Sequence, residues 1–294
     1  MSSMRSRIAA NTPAWLRKLV RMAEHYGRRQ AEWLAVLHAM RGVSGSDRRT
    51  LFASAAASPA TALARLDEFQ PPFLFGDIEV DVRDAGRFAV RAGTDDLIHL
   101  LAAREPAVIE RIRALLRPGD VFIDAGANIG FYSMVAARLV GAAGKVVAFE
   151  MMPPTLERLR RHIERNQAAN VEAIGAALAD RDGDTLVATS TPDKFGQASI
   201  VADAADDARS VRYEVTTMTL DTALAGIGEI ALIKMDLEGA EYLTLRGAAS
   251  VLSRTGAVLF ENNDRDSRIF ALLEAAGFSI DELDANDWLA RRAS

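Results

Sequence analysis

The segment Asp124-Ala125-Gly126-Ala127-Asn128-Ile129-Gly130 follows the short apolar run Val121-Phe122-Ile123, so it reads as a tight turn between a buried strand and a helix. Small side chains at 125, 126 and 127 let a ligand approach the backbone closely. Gly130 opens a helix whose first N–H groups favour negative charge. A dinucleotide turn would read Gly-x-Gly-x-x-Gly, and here Asn128 stands in place of the second glycine. Asp124 closes the strand and faces the loop, where a carboxylate suits an ammonium group better than a pyrophosphate. Glu150 ends the next apolar run, a position from which an acid accepts hydrogen bonds from both hydroxyls of a ribose. A nucleoside with an amino-acid tail satisfies both acids, and S-adenosyl-L-methionine is that molecule. The alternatives are an NAD-dependent Rossmann oxidoreductase, which wants the missing glycine at 128, and a non-catalytic binding module, which would leave Asp124 and Glu150 without a task.

These residues need a scaffold, and the chain from 107 onward supplies one. Val108–Leu116 has helical periodicity and stops at Pro118-Gly119; a helix is expected from about Gly130 to Val140; Lys145–Phe149 is a second strand, and Pro153 and Pro154 suit the first turn of the next helix. Val171–Ile174, Ile230–Met235 and Ala257–Glu261 are further strand candidates, separated by helical stretches near 156–168, 240–252 and 266–276. Phe278–Leu283 and Trp288–Ala290 are expected to add edge strands. Such alternation specifies an α/β fold with a doubly wound, mostly parallel sheet, whose ligands bind beyond the carboxyl ends of the strands. Functional groups should therefore follow Ile123, Phe149, Ile174, Met235 and Phe260.

With those motifs in view, the sequence resembles the FkbM-type methyltransferases, a branch of the S-adenosylmethionine-dependent class I enzymes with a seven-stranded Rossmann-like sheet. Gly119–Gly130 is similar to the family's first motif, and Ala148-Phe149-Glu150 followed by Pro153 to its second. Ala176–Asp180 resembles the adenine-side segment, which implies cofactor contacts from Ala177 and Asp180. Gly196–Ile200, Thr219-Leu220-Asp221 and Ile233–Glu241 complete the set, and the likeness spans about residues 95–290. It implies methyl transfer, a hydroxyl acceptor on a sugar, glycan, lipid headgroup or secondary metabolite, and a 236–241 segment bordering the transferred methyl group.

Methyl transfer needs in-line approach above all, and a hydroxyl acceptor must also lose its proton. Asp236 is the expected base, with Glu238 or Glu261 holding the acceptor's other hydroxyls. A competing and weaker reading joins Asp236, Glu261 and Asn262 as oxygen ligands of Mg²⁺. Phe131 is placed to pack near the methionine moiety and Met151 to cover the adenine face, although both residue types also fill cores. Glu241 suits the positive N-terminus of the helix starting near Gly239. The four histidines, His25, His38, His99 and His162, show no paired ligand spacing, and His99 is a minor candidate base near Glu105. There is no cysteine, which excludes disulfides, thiolate metal sites and a cysteine nucleophile.

Charge divides the chain. Residues 1–50 carry ten basic and three acidic residues, a balance of +7, and residues 51–294 carry 25 basic and 37 acidic, a balance of −12. The acidic body disfavours a nucleic-acid substrate, because phosphate contacts need a basic surface. In the head, Trp15, Leu19, Met22 and Tyr26, then Trp33, Leu37 and Met40, recur at helical spacing, giving two amphipathic helices bent near Gly27. Ala53–Ala64 with Pro59, then Pro71-Pro72, reads as a join. The expected organisation is a basic helical segment over 1–70, a β-hairpin around Asp84-Ala85-Gly86 with its linker over 71–106, and a methyltransferase domain over 107–294. The head is expected to cap the fold, to form a homodimer, or to bring residues 1–60 to a membrane surface. With no long apolar run and no apolar stretch after Arg5 and Arg7, a soluble, cytoplasmic protein is expected.

Overall fold

The computed structural model describes residues 13–63, 71–191, 194–199 and 211–292. Arg5 and Arg7 of the basic head and Ile200 of the central motif lie outside them. Contacts divide the chain into two units, one formed by Met1–Asp81 with Ala89–Leu101, the other by Val82–Phe88 with Ala102–Ser294.

The first unit contains helix α1 (Ala14–Ala39), strand β1 (Met40–Gly42), helix α2 (Gly45–Leu63), the hairpin strands β2 (Ile78–Val82) and β3 (Gly86–Val90), whose turn is counted with the second unit, and the short helix α3 (Asp96–His99). The strands form a sheet of order β1-β2-β3. Two breaks expected from the sequence are absent. Gly27 does not bend the head into two helices: α1 runs through it, since one glycine costs only about 1 kcal/mol in a helix. Pro59 lies inside α2, where the surrounding alanines favour helix strongly enough to carry it. The helices are joined by buried Arg29, whose Nε and Nη2 donate to Ser58 Oγ at 3.0 Å and Thr61 Oγ1 at 2.8 Å.

In the second unit helix α4 (Pro106–Leu115) precedes strand β4 (Val121–Ala125), helix α5 (Phe131–Val140), β5 (Lys145–Phe149), α6 (Pro153–Arg165) and β6 (Val171–Ile174). Then come β7 (Ala177–Leu178), β8 (Thr185–Thr191), β9 (Lys194–Ser199), β10 (Val211–Met218) and the short helix α7 (Leu220–Ala223). The chain closes through β11 (Ile230–Met235), α8 (Glu241–Arg246), α9 (Ala249–Ser253), β12 (Thr255–Glu261), α10 (Ser267–Ala275), β13 (Phe278–Glu282) and β14 (Asp287–Arg292).

Seven strands form the main sheet in the order β13-β14-β12-β11-β4-β5-β6. β4 pairs in parallel with β5 and β11, and β11 with β12, while β14 runs antiparallel to both β12 and β13. The central strands are almost continuously buried, as a sheet covered on both faces requires. Only β13 is the edge strand expected at the C-terminus; β14 inserts between β12 and β13, where Leu289 and Ala290 are buried. A four-stranded sheet of order β7-β10-β8-β9, not anticipated from the sequence, sits around a small core of Met152, Ala177, Ala188 and Val215. Strand order reverses at β4, so the carboxyl ends of β4, β5, β11 and β12 converge on one crevice.

Candidate active site

The loop after β4 is held from both sides. Gly126 and Ala127 donate their N–H groups to the Phe149 carbonyl at 3.0 and 2.8 Å, and Asn128 donates its own to Glu150 Oε2 at 2.9 Å. The other carboxylate oxygen, Oε1, accepts from Met152 N at 2.8 Å. Glu150 therefore ties the β4 and β5 turns together, and its burial pushes its carboxyl up to about 7 despite those two donors. Gly126 has φ +85°, and a Cβ there would collide with the Asp236 carbonyl, so the turns after β4 and β11 touch only because this residue is glycine. Asn128 also takes a positive φ of 50°, which asparagine tolerates better than most side chains. Gly130, at φ +97°, caps α5 where a Cβ would strike Leu159.

Asp124 is fully buried at the end of β4. Its Oδ2 accepts from Ser133 Oγ at 2.6 Å, whereas Oδ1 has no hydrogen-bond partner among the described residues. Burial raises its pKa, and nearby Lys234 and the Ser133 hydroxyl oppose the shift. The register explains that neighbour, because Asp124 stands opposite Lys234 in the β4–β11 pair.

Lys234 is the organising cation of the second half of the site. It is 3% exposed, in a strand otherwise apolar, and its Nζ lies 3.1 Å from Asp236 Oδ2 and 4.7 Å from the centre of the Tyr132 ring. Desolvation favours loss of its proton, but the charges of Asp236, Asp124 and Glu105 outweigh it and raise the pKa. Tyr132 in turn donates to Glu105 Oε2 at 2.5 Å, and burial raises its hydroxyl pKa well above the ordinary value.

Glu261, at the carboxyl end of β12, pairs in register with Asp287 at the start of β14. Placing like charges opposite each other across a ladder is unfavourable. Partial burial and the charges of Asp236, Glu238 and Asp287 push Glu261 up to about 8, and burial with Asp284 and Glu105 pushes Asp287 up to about 7. Glu238 is exposed at φ 51° in the turn after Asp236. Glu241 is buried and accepts from Leu237 N at 2.7 Å, fastening that turn.

The remaining sequence candidates take other partners. Phe131 is buried beside Tyr132, their rings 5.1 Å apart. Met151 is half-buried against the Met152 and Ala177 cluster, and Ala177 is buried in β7. Asp180 pairs with Arg246 at 3.2 Å. His99 Nε2 lies 3.2 Å from Asp95, in the first unit. Asn262, one of the expected oxygen ligands, spends its Oδ1 on Asp266 N at 2.8 Å, and among the described residues no group of three or more acids and histidines is placed to hold a metal ion. Sequence reasoning assigned no role to Lys234, Tyr132, Ser133 or Asp287. The legible signal was Lys234, a charge inside the apolar run Ile230–Met235.

The strand order, the reversed β14 and the glycine loop feeding α5 define a class I methyltransferase fold. Residues 124–283 match the model of the methyltransferase FkbM domain, more than half of the sequence, and the chain belongs to that family of methyltransferases. It is 29% identical over 205 residues to methyltransferase sdnD of Sordaria araneosa, covering 58% of this chain and 78% of that protein. To the 31-O-demethyl-FK506 methyltransferase FkbM of Streptomyces tacrolimicus it is 28% identical over 196 residues, covering 56% and 75% respectively. A crystal structure of a methyltransferase FkbM from Methylobacillus flagellatus superposes with a TM-score of 0.41 at 15% identity, covering 90% of this chain and 59% of that one. Family membership displaces the nicotinamide-dependent oxidoreductase weighed from the loop alone.

Proposed function

We propose that the chain transfers the methyl group of S-adenosyl-L-methionine to a hydroxyl of a sugar, glycan, lipid headgroup or secondary metabolite. The observation that carries this reading is the meeting, at one end of the sheet, of the Asp124–Glu150 loop with Asp236 just after β11 and Glu261 at the end of β12. The loop fits the cofactor. Asp124 Oδ1 is buried and lacks a donor, as suits a site for N–H groups. Glu150 keeps further lone pairs for ribose hydroxyls beyond the two backbone donors it already serves. When bound, S-adenosyl-L-methionine supplies a methyl group activated by a sulfonium.

The chain's own part is to orient the acceptor and remove its proton. Asp236 was the base expected from sequence, but Lys234 Nζ lies 3.1 Å from its Oδ2 and occupies that oxygen, which suits the residue to orienting the acceptor. Glu261, pushed up to about 8 by partial burial and its acidic neighbours, takes the hydroxyl proton at a carboxylate oxygen. Asp236 then accepts a hydrogen bond from the acceptor and fixes its approach. Paired carboxylates suit a polyhydroxylated acceptor, since each oxygen can engage a separate hydroxyl.

The test is a transfer assay with methyl-labelled S-adenosyl-L-methionine against sugars, glycans, lipid headgroups, polyketide alcohols and RNA, with the product linkage read by NMR. An O-linked methyl on a hydroxylated small molecule is expected, and Glu261→Gln should lower turnover about a hundredfold or more while leaving donor affinity unchanged. Methylation of a nitrogen, a carbon or RNA would overturn the hydroxyl reading. Turnover should also persist in a chelator, and its loss would restore the Mg²⁺ alternative.

A further inference from the structure

Helix α1 has two apolar faces, and only one of them is covered. Arg29, Trp33 and Val36 follow one another on the buried side, facing the rest of the first unit. On a second side Trp15 is 64% exposed, Leu19 51%, Val20 48% and Leu34 70%, with Leu16 and Leu37 also exposed. At helical spacing these six residues, together with Ala23, Gly27 and Ala31, fall within a sector of roughly 160°. Trp15, Leu16, Leu19 and Val20 form the main cluster at the start of the helix, and Leu34 and Leu37 form a second beyond Gln30, whose Nε2 reaches Ser58 Oγ of α2 at 3.4 Å. Four large apolar side chains clustered on one exposed side of the first turns are more than the scattered exposure of an ordinary surface.

Charge decides what covers the stripe. Arg17 and Lys18 are exposed on either flank of the apolar sector in its first turns, Arg21 is exposed on the far side of the helix, and Glu24 is the only acid between residues 14 and 31. A second copy of the chain would bring one basic head of +7 against another. An anionic surface is complementary instead, and long basic side chains flanking an apolar sector extend to headgroups while the sector enters the acyl boundary. Tryptophan at the end of the stripe suits the same interface. No described helix is long and apolar enough to cross a membrane, so the arrangement is one of lying on a bilayer. We propose that the exposed face of α1 docks this chain onto an anionic lipid surface. This holds whatever the methyl acceptor is.

The experiment is flotation of the full-length chain with vesicles of phosphatidylcholine alone and of phosphatidylcholine with phosphatidylglycerol. The protein should float with the anionic vesicles and stay behind with the neutral ones. Leu19→Glu should reduce the floated fraction about tenfold and Lys18→Glu about fivefold, with far-UV circular dichroism unchanged in both. The substituted positions are exposed, so folding is not at stake. Absence of flotation in the parent chain would overturn the proposal, as would flotation indifferent to both variants. A concentration-dependent dimer in light scattering that Leu19→Glu dissociates would overturn it too, assigning the stripe to a second copy.

Discussion

Lys234 shows how a side chain gains its meaning from register. In sequence it is one charge in the run Ile230–Met235; in the fold it stands beside Asp124, two residues from Asp236, and over the Tyr132 ring. It carries the countercharge for carboxylates on two different turns. Lys234→Met should therefore destabilise the fold by about 3 kcal/mol, measured by urea denaturation, because buried Asp124 is left without compensation. Glu261 makes the complementary prediction. Its carboxyl lies up near about 8 and must be ionised to accept a proton, so kcat/KM should rise with pH through that value and level off above it. A profile already flat from pH 6 upward would remove Glu261 as the base. The glycine loop, Glu150 and the strand-end acids were readable from residue type and position. The rank of the acids as bases was not, since it depends on the neighbours that β11, β12 and β14 bring together across long stretches of chain.

At the scale of elements, Gly126 is the point where two turns meet. Gly126→Ala combines a positive φ with a clash against the Asp236 backbone, whereas Gly239→Ala has a positive φ of 101° and open space around its Cβ. Denaturation should show the second change costing about 1–2 kcal/mol and the first distinctly more. Gly126→Ala should also impair turnover, because it separates the Glu150 loop from Asp236. The central strands were legible because β4, β5 and β11 are apolar runs, broken inside only by Asp124 and Lys234, of the kind that two covered faces demand. The second sheet was not legible: β10 mixes exposed and half-buried positions with scattered buried ones, and its partners include the two-residue β7, so no clean period emerges. Gly27 and Pro59 misled for the opposite reason. Both are strong local signals, and the helices around them were stronger still.

For the molecule as a whole, the raised acids link activity to stability. Glu150, Asp287 and Glu261 lie near about 7, 7 and 8 in the folded chain, above their unfolded values, so the folded state binds more protons between those limits. Their contribution to stability is present at low pH and is lost as pH rises through 7 and 8. Tm should fall between about pH 5 and 8.5 while turnover rises, and the double variant Glu261→Gln/Asp287→Asn should flatten the Tm profile. A Tm that climbs over the same range at these sites would contradict the assignment. The division into a basic head and an acidic body was plain in the sequence, and so was the family likeness of the body. The continuity of the head's helix through Gly27 became visible only in three dimensions.

The central claim is that the loop after β4 and the acid after β5 hold S-adenosyl-L-methionine. Isothermal titration with S-adenosyl-L-methionine, S-adenosylhomocysteine and NAD, on the parent chain and on Glu150→Ala, tests it most directly. The account predicts binding of the first two, none of NAD, and affinity reduced at least tenfold by the substitution. Binding of NAD alone, or affinity for S-adenosyl-L-methionine untouched by loss of Glu150, would contradict it.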